Sequence, residues 1–440
     1  MTGSSHLDRR SFLRASALAA GVGGAALLTG CGAGLRDPEV PPLPGGNTVA
    51  ADPVTWRVQG DPLVGAAGAG RADGLTVAVT DLFAVRGQRI GAGNPGWLGQ
   101  AAVETTTADA VAALLAGGAR VVGIAQTVDF GFGHSGINAS YGTPTNPAAP
   151  GRIPGGATSG AATAVASGSA RVGLGPDTTG SIRIPAAYQG LFGFVPTRDA
   201  VSTAGMLPLS RTFDAVGWIC ADAATLAAVG DVLLPTAATH PIDTAVVSPG
   251  VVAIADAVVA PAVDAALARW RRSGLPALST VDVDLAALPD WYDAVRAVQG
   301  YEAWQQYGGW VSTATGSIGD EARANFLDAA KVSESTYRRR LDEVTAAGHI
   351  VQDLVGSGVL LVPTTATPAP STTDDPANVR VAEQLRSTGL LTAIATVAGL
   401  PTATVPLRTD GLPAGLSVIG PAGRDRDVLA LAAKVADLVG

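Results

Sequence analysis

Gly155 to Thr197 reads GGATSGAATAVASGSARVGLGPDTTGSIRIPAAYQGLFGFVPT, and the architecture expected for the chain follows from this Gly/Ser block. Small residues dominate the block, and they let the backbone approach a second segment or a ligand closely. Its piece DTTGSIR places successive backbone N–H groups just before Ser181. Such an array can stabilise a developing oxyanion. The block therefore predicts a tightly packed turn that carries Ser181 as a candidate nucleophile.

Strand and helix patterns alternate on both sides of the block. LTVAVTDLF (Leu75–Phe83) is typical of a short strand, and ADAVAALLAGGARVVGIAQ (Ala108–Gln126) of a helix, a glycine stop and a buried strand. VLLVPTTATP (Val359–Pro368), LPTATVPL (Leu400–Leu407) and AGLSVIGP (Ala414–Pro421) predict three more strands. This alternation predicts an α/β fold in a single domain, with a large mixed, mostly parallel sheet covered by helices on both faces.

Composition excludes several classes of protein. The 440 residues are 47% hydrophobic and 15% charged, which excludes a mostly disordered chain. A net charge of −8 without a basic run argues against a nucleic-acid partner. No cluster of His, Cys, Asp or Glu has metal-ligand spacing, so we expect neither a metal nor another cofactor. Two cysteines cannot form a disulfide-dense scaffold, and Cys220, in an apolar run, is expected to be a buried thiol.

The first thirty residues have the pattern of an export signal. Arg9 and Arg10 precede an uncharged stretch from Ala15 to Gly30, which is short for a membrane span and ends in small residues. A chance arginine pair ahead of an alanine-rich helix is the alternative interpretation. The segment that follows is rich in Gly and Pro and is typical of a tether. We therefore expect a signal peptide (1–30), a tether (31–53) and one folded domain (54–440).

Two motifs in this region resemble known targeting signals. DRRSFLR (Asp8–Arg14) resembles a twin-arginine signal, and LTGC (Leu28–Cys31) resembles a bacterial lipobox, in which the cysteine is lipidated. The resemblance implies export in the folded state and a lipid anchor on Cys31 at the outer face of the cytoplasmic membrane. Two or more acyl chains would attach the protein stably, so the cell membrane is an expected partner.

The Gly/Ser block resembles the signature of the amidase family, which reads roughly GGSSGGS, an Ala-rich helix and GTDTGGSIRIPAA. The two patterns align without a gap from Gly155 to Ala187. The resemblance extends to VAVTDLFAVRGQRIGAGNPGWL (Val77–Leu98), to GMLPLSRTFDAVG (Gly205–Gly217) and to the closing strands. It implies the amidase-signature fold and descent from amide hydrolases.

A Ser–Ser–Lys triad performs catalysis in this family, so the resemblance assigns three positions in this chain. The nucleophile falls on Ser181, the relay serine on a cis peptide falls on Ala157, and the buried lysine base falls on Thr80. Alanine has no exchangeable proton, and a threonine hydroxyl cannot act as a base near neutral pH. The chain has two lysines, Lys331 and Lys434, and neither falls at a family catalytic position. The resemblance therefore implies a degenerate triad.

The same alignment places the oxyanion turn at Thr178, Thr179 and Gly180. Thr179 replaces a family glycine, and a β-branched residue would be strained there if the position needs a positive φ. Asp177 and Arg183 match the family pattern, as the turn itself would require with or without catalysis.

Other residues could restore or replace the chemistry. His134 is the one histidine of the signature region and a weak candidate for a substitute base to Ser181; a loop histidine bonded to the backbone is the alternative. Glu302 and Trp304 resemble a family helix that lines the substrate channel, against a surface carboxylate and a core indole. The aromatic residues from Trp291 to Trp310 indicate core packing or the lip of a pocket.

Three functions remain open. The first is an exported lipoprotein that has lost the amidase mechanism and binds a small amide-like ligand or an unknown protein partner. The second is an active amide hydrolase that uses Ser181 with a non-standard base. The third is a structural lipoprotein whose pocket is a relic. Loss of a triad base costs several orders of magnitude in rate, which favours loss of ordinary amidase turnover over the second function. An open pocket lined by Trp and Tyr would argue against the third.

Overall fold

The structure is a computed structural model that describes residues 52–314, 318–373, 379–407, 409 and 411–439. The expected signal peptide (1–30), the expected lipidation site Cys31 and nearly all of the expected tether (31–53) lie outside the described residues. Within the described residues, no helix has both the length and the apolarity to cross a membrane.

Eleven strands of the described chain form one sheet, in the spatial order β1-β3-β2-β4-β6-β5-β10-β11-β9-β7-β8. Their bounds are β1 (Trp56–Val64), β2 (Thr76–Thr80), β3 (Arg120–Ala125), β4 (Val172–Asp177), β5 (Phe192–Val195), β6 (Ala215–Cys220), β7 (Thr244–Val247), β8 (Ala277–Thr280), β9 (Val359–Pro363), β10 (Thr402–Leu407) and β11 (Ala414–Ile419).

Twelve α-helices of the described chain and a short 3₁₀ turn (Asp129–Gly131) accompany the sheet. The helices are α1 (Pro95–Gln100), α2 (Asp109–Ala116), α3 (Ser159–Ala166), α4 (Arg183–Tyr188), α5 (Ala223–Leu233), α6 (Pro249–Val252), α7 (Val259–Arg271), α8 (Leu288–Ala314), α9 (Asp320–Ala329), α10 (Glu334–Val355), α11 (Val379–Ala398) and α12 (Asp425–Val439).

The predicted α/β fold with a large mixed sheet is confirmed, but the expectation of mostly parallel strands is wrong. In the described sheet, the pairs β3–β2, β2–β4, β9–β7 and β7–β8 are parallel. The other six neighbouring pairs are antiparallel. One physical reason is that β10 ends at Leu407 and β11 begins at Ala414, whereas a parallel crossover needs about a dozen residues or more. Buried strands of either direction have the same apolar pattern, so the sequence does not distinguish them.

Apolar side chains cover both faces of the sheet. Along β9, Val359 and Leu361 belong to one apolar cluster, whereas Leu360 and Val362 belong to another. Successive strand residues point to opposite faces, so each face has its own core. Helix α7 packs into the first cluster and helix α8 contributes residues to both. The predicted covering of both faces is therefore observed.

Cys220 lies at the end of β6 and is completely buried. Burial raises the pKa of its thiol well above the usual range. The thiol is therefore protonated near neutral pH, and the predicted inert core cysteine is confirmed.

Candidate active site

Ser181 lies in the turn that joins β4 to helix α4, at the centre of the Gly/Ser block. Helix α3, the preceding element of the block, packs against β4. The non-proline peptide bond between Gly156 and Ala157 is cis. The turn is deeply buried, and Ser181 is 4% exposed. The block thus buries Ser181 in the turn between β4 and helix α4.

A buried ion pair holds this turn. Asp177 Oδ1 accepts hydrogen bonds from Gly180 N at 2.8 Å and from Arg183 Nη2 at 2.7 Å, and Asp177 Oδ2 accepts from Ile182 N at 3.0 Å. Burial alone would raise the pKa of Asp177, but the Arg183 guanidinium and these backbone donors hold it below its usual range. Arg183 also donates to the Thr392 carbonyl oxygen at 2.8 Å. Asp177 and Arg183 therefore fix the backbone around Ser181.

The positive φ in the turn belongs to Gly180, at 134°. A Cβ atom on Gly180 would lie 2.9 Å from Ile184 Cδ1, so the position also excludes a side chain. Thr179 is not among the described non-glycine residues with positive φ. The condition for backbone strain at Thr179 is therefore not met, because the positive φ falls one residue later, at Gly180.

The degenerate triad positions bring no basic group to Ser181. Thr80 is completely buried, and its Oγ1 donates to the Leu174 carbonyl oxygen at 2.8 Å. Ala157 is also completely buried, and its carbonyl oxygen accepts from Thr127 Oγ1 at 2.8 Å. Across the described residues, no side chain forms a hydrogen bond with Ser181 Oγ. The Thr80 hydroxyl is committed to the sheet, so it cannot serve the serine.

Both lysine side chains are exposed at the protein surface, whereas Ser181 is buried. Lys331 Nζ donates to Asp328 Oδ1 at 2.7 Å, and both side chains are 74% exposed. Lys434 is exposed on α12 and lines a surface cleft together with His240. Neither lysine is placed to act as the base.

His134 contacts the oxyanion turn through Thr179. Its Nε2 shares a hydrogen bond of 2.9 Å with Thr179 Oγ1, while its backbone N donates to Glu321 Oε1 at 2.8 Å. Burial is the main cause that lowers the pKa of His134 to about 4; the positive charges of Arg296 and Arg183 act in the same direction, and Asp177 opposes them. The imidazole is therefore neutral at pH 7, and its bond goes to the residue two positions before Ser181.

This low pKa of His134 predicts a pH-dependent stability. The imidazole of the unfolded chain takes up a proton near pH 6.5, but that of the folded chain does so only near about pH 4. The unfolded state thus binds more protons between these values, so the free energy of unfolding should fall as the pH decreases from about 6.5 to about 4. We expect NMR titration to show one imidazole that stays neutral through this interval. His134→Gln should remove that signal, and the protein's stability should then depend less on pH. An unshifted titration of His134 near pH 6.5 would contradict the assignment.

Thr178, the first residue of the predicted oxyanion turn, is committed to a buried carboxylate. Its Oγ1 donates to Asp214 Oδ1 at 2.7 Å, and Asp214 also accepts from Leu209 N at 2.9 Å and from Ser210 N at 3.1 Å. Burial raises the pKa of Asp214 to about 7, against these hydrogen bonds. The sequence did not single out this role, although Ser210 and Asp214 are two of the four polar residues of the GMLPLSRTFDAVG motif.

Glu302 stabilises the neighbouring loop at Ser210 and Thr212 through hydrogen bonds. Its carboxylate accepts from Ser210 Oγ at 2.6 Å, from Thr212 N at 3.1 Å and from the Tyr337 hydroxyl at 3.0 Å. It also lines a cavity of about 240 Å³ beside Pro208 to Arg211. Glu302 is therefore more than a surface carboxylate. Trp304 is half-buried against the main core, as the core-indole alternative predicts.

A cavity of about 270 Å³ adjoins the site. His134 is in its wall, whereas Ser181 and Thr179 are not. Its lining comes from the 131–135 loop and from α8, α9 and α11: Gly131, Phe132, Gly133, His134, Ser135, Tyr292, Arg296, Gln299, Asp320, Glu321, Ala324, Asn325, Ala382, Leu385 and Arg386. Among the aromatic residues from Trp291 to Trp310, Tyr292 alone lines it, so the pocket-lip alternative applies to that residue only.

Most of the aromatic stripe packs into the core instead. Tyr307 is completely buried, with its ring 4.8 Å from that of Phe130 and 5.9 Å from that of Trp97. The ring of Trp310 lies 5.3 Å from that of Phe130 in the same cluster.

Among the described residues, no group of three or more His, Cys, Asp and Glu is placed to hold a metal ion.

Known proteins resemble this chain over most of its length. A sequence model of the amidase family matches residues 65–251 and 291–429. Amidase 1 of Arabidopsis thaliana is 33% identical over 404 residues, which are 83% of this chain and 93% of that protein. The translocon at the outer membrane of chloroplasts 64 of Pisum sativum is 42% identical over 160 residues, 36% of this chain and 27% of that protein. A crystal structure of an amidase superposes with a TM-score of 0.74 at 27% identity, over 84% of this chain and 86% of that one. The chain belongs to the amidase family.

Proposed function

We propose that this protein is an exported, lipid-anchored member of the amidase family that has lost the family's hydrolytic mechanism and binds a small ligand or a protein partner. The observation that carries the proposal is the isolation of Ser181. A serine hydroxyl is a weak nucleophile near pH 7 unless a base is adjacent. Thr80 and Ala157 occupy the base and relay positions, and both are completely buried. The direct test of the proposal measures the rate at which the protein lacking residues 1–30 hydrolyses simple amides, with Ser181→Ala as the reference. A hydrolysis rate that depends on Ser181 would contradict the proposal.

The cavity beside His134 supports binding over a purely structural role. Its volume of about 270 Å³ lies near the lower end of small-molecule sites, and its wall combines aromatic with polar side chains. The relatives include one named as an amidase and one named as a chloroplast translocon. Family membership therefore accommodates both an enzymatic and a non-enzymatic role. The acidic charge of −8 supports a partner other than nucleic acid.

An active hydrolase with a non-standard base is the alternative. One observation favours it: His134 Nε2 lies 2.9 Å from Thr179 Oγ1, on the same turn as Ser181. A pKa of about 4 leaves His134 neutral at pH 7 but makes it a poor proton acceptor. If His134 were the base, His134→Ala would abolish amide hydrolysis. Activity that survives this substitution would eliminate the alternative.

Anchoring through Cys31 can be tested separately from catalysis. We expect the full chain to partition with membranes in a bacterial host that has a twin-arginine pathway, and Cys31→Ala to release it into the soluble fraction, since the acyl chains are attached there. Cys220→Ala removes the other cysteine and serves as the matched control, because that thiol is completely buried in β6. Membrane partitioning of Cys31→Ala equal to that of the Cys220→Ala protein would refute the anchor.

A further inference from the structure

We infer that the cavity beside His134 binds a small carboxylate with an apolar body, and that Arg296 recognises the carboxylate. The inference names the ligand class of the proposed function and rests on it. Helix α8 places Tyr292, Arg296 and Gln299 along the cavity wall, and their spacing of four and three residues puts them on one helical face. The ring of Tyr292 and the guanidinium of Arg296 are thus adjacent in the wall.

Arg296 carries a positive charge that no carboxylate neutralises within the described chain. Its Nη2 donates to Asn325 Oδ1 at 2.6 Å and its Nη1 donates to Gln299 Oε1 at 3.3 Å, and both acceptors are neutral amides. The guanidinium lies 5.4 Å from the ring centroid of Phe132. A guanidinium has five N–H donors, so three remain for a ligand. Its fork matches the two oxygens of a carboxylate.

The other charged groups of the wall already have partners. Arg386 donates to Asp293 Oδ1 at 2.9 Å, and Asp320 pairs with Arg323. Glu321 Oε1 accepts from His134 N at 2.8 Å, and its Oε2 accepts from both the backbone N and the hydroxyl of Ser135. The 131–135 loop therefore occupies the Glu321 carboxylate, whereas Arg296 has donors to spare. This asymmetry favours an anion at Arg296.

The rest of the wall suits an apolar body. Phe132, Tyr292, Ala324 and Leu385 supply aromatic and aliphatic surface. A volume of about 270 Å³ admits a single substituted ring rather than a peptide or a nucleotide. Phenylacetate has this combination of one carboxylate and one ring, and it is also the acid that hydrolysis of phenylacetamide releases.

Isothermal titration calorimetry of the protein lacking residues 1–30 tests the inference with three probes of one shape. These are phenylacetate, phenylacetamide and phenethylamine. We expect phenylacetate to bind at least about tenfold more tightly than either of the others, because charge-assisted hydrogen bonds are the stronger ones. Arg296→Gln should lose about tenfold or more of phenylacetate affinity, and Arg296→Lys should retain part of it. Arg338→Gln is the matched control, since it removes one exposed positive charge on α10, away from the cavity.

A second measurement distinguishes lost binding from a folding defect in Arg296→Gln. The positive charge of Arg296 lowers the pKa of His134, so Arg296→Gln should raise that pKa in an NMR titration while the protein remains folded. Phenylacetate should raise it as well, by neutralising the same charge. Equal affinity for the three probes, or unchanged phenylacetate affinity in folded Arg296→Gln, would overturn the inference. Hydrolysis of phenylacetamide in the same samples would instead overturn the proposed loss of turnover, so the two failures are distinguishable.

Discussion

The protein lacking residues 1–30 is expected to hydrolyse phenylacetamide about 10⁴-fold more slowly than an amidase with a complete triad. The expected loss follows from two residues. Thr80 cannot accept the proton of Ser181, since its hydroxyl donates to the Leu174 carbonyl oxygen at 2.8 Å inside the sheet. Ala157 offers no hydroxyl to relay that proton. What remains is those backbone N–H groups of the turn that do not donate to Asp177, and these alone support only residual catalysis. The rate is measured as ammonia release, beside a triad-bearing relative at equal concentration.

Ser181→Ala sharpens this test. If Ser181 does not act as a nucleophile in the residual reaction, Ser181→Ala should leave the residual rate of hydrolysis unchanged. A hydrolysis rate comparable to that of the relative, together with a large loss of rate in Ser181→Ala, would contradict the proposal and favour a hydrolase with another base.

The double variant Thr80→Lys with Ala157→Ser shows whether the two missing groups are the whole cause. A gain over both single variants would show that the turn is still competent. No gain in the folded double variant would implicate the turn itself, where Thr179 stands in place of the family glycine and bonds to His134.

Asp177→Asn is expected to produce the largest loss of stability, about 3–5 kcal/mol in the free energy of unfolding. The substitution leaves the Arg183 guanidinium buried without its carboxylate, and it replaces Oδ2, which accepts from Ile182 N and Arg183 Nε, by an amide NH₂ group that can only donate. The Thr392 carbonyl and the Thr396 hydroxyl remain as neutral partners and cannot compensate for the charge. Urea unfolding followed by circular dichroism measures the effect.

Asp328→Asn provides the comparison for this loss. It breaks the pair with Lys331, in which both side chains are 74% exposed, so solvent screens the charges and little change is expected. Equal stability of Asp177→Asn and Asp328→Asn would mean that the turn does not depend on the ion pair.

Much of the site follows from the sequence because a family motif specifies local geometry. The signature block places Ser181 in its turn and pairs Asp177 with Arg183, six residues apart on one turn and helix start, so short-range geometry suffices. The expectation of mostly parallel strands is wrong because strand pairing lies beyond the motif. The antiparallel direction of β10 and β11, for example, depends on the short connection between them.

The sequence by itself determined which residue types occupy the candidate catalytic positions and which types are absent from them. The sequence shows that the Thr80 side chain is not a base and that the Ala157 side chain has no hydroxyl, because the protonation chemistry of a side chain is a property of its residue type. Only the tertiary structure decided which groups meet. His134 bonds to Thr179 across 45 positions and to Glu321 across 187. Within the part of the chain that the structure describes, Arg296 bonds to the neutral amides of Gln299 and Asn325, and the carboxylates of the cavity wall have other partners. Such contacts depend on how distant segments pack, and no local pattern in the chain encodes them.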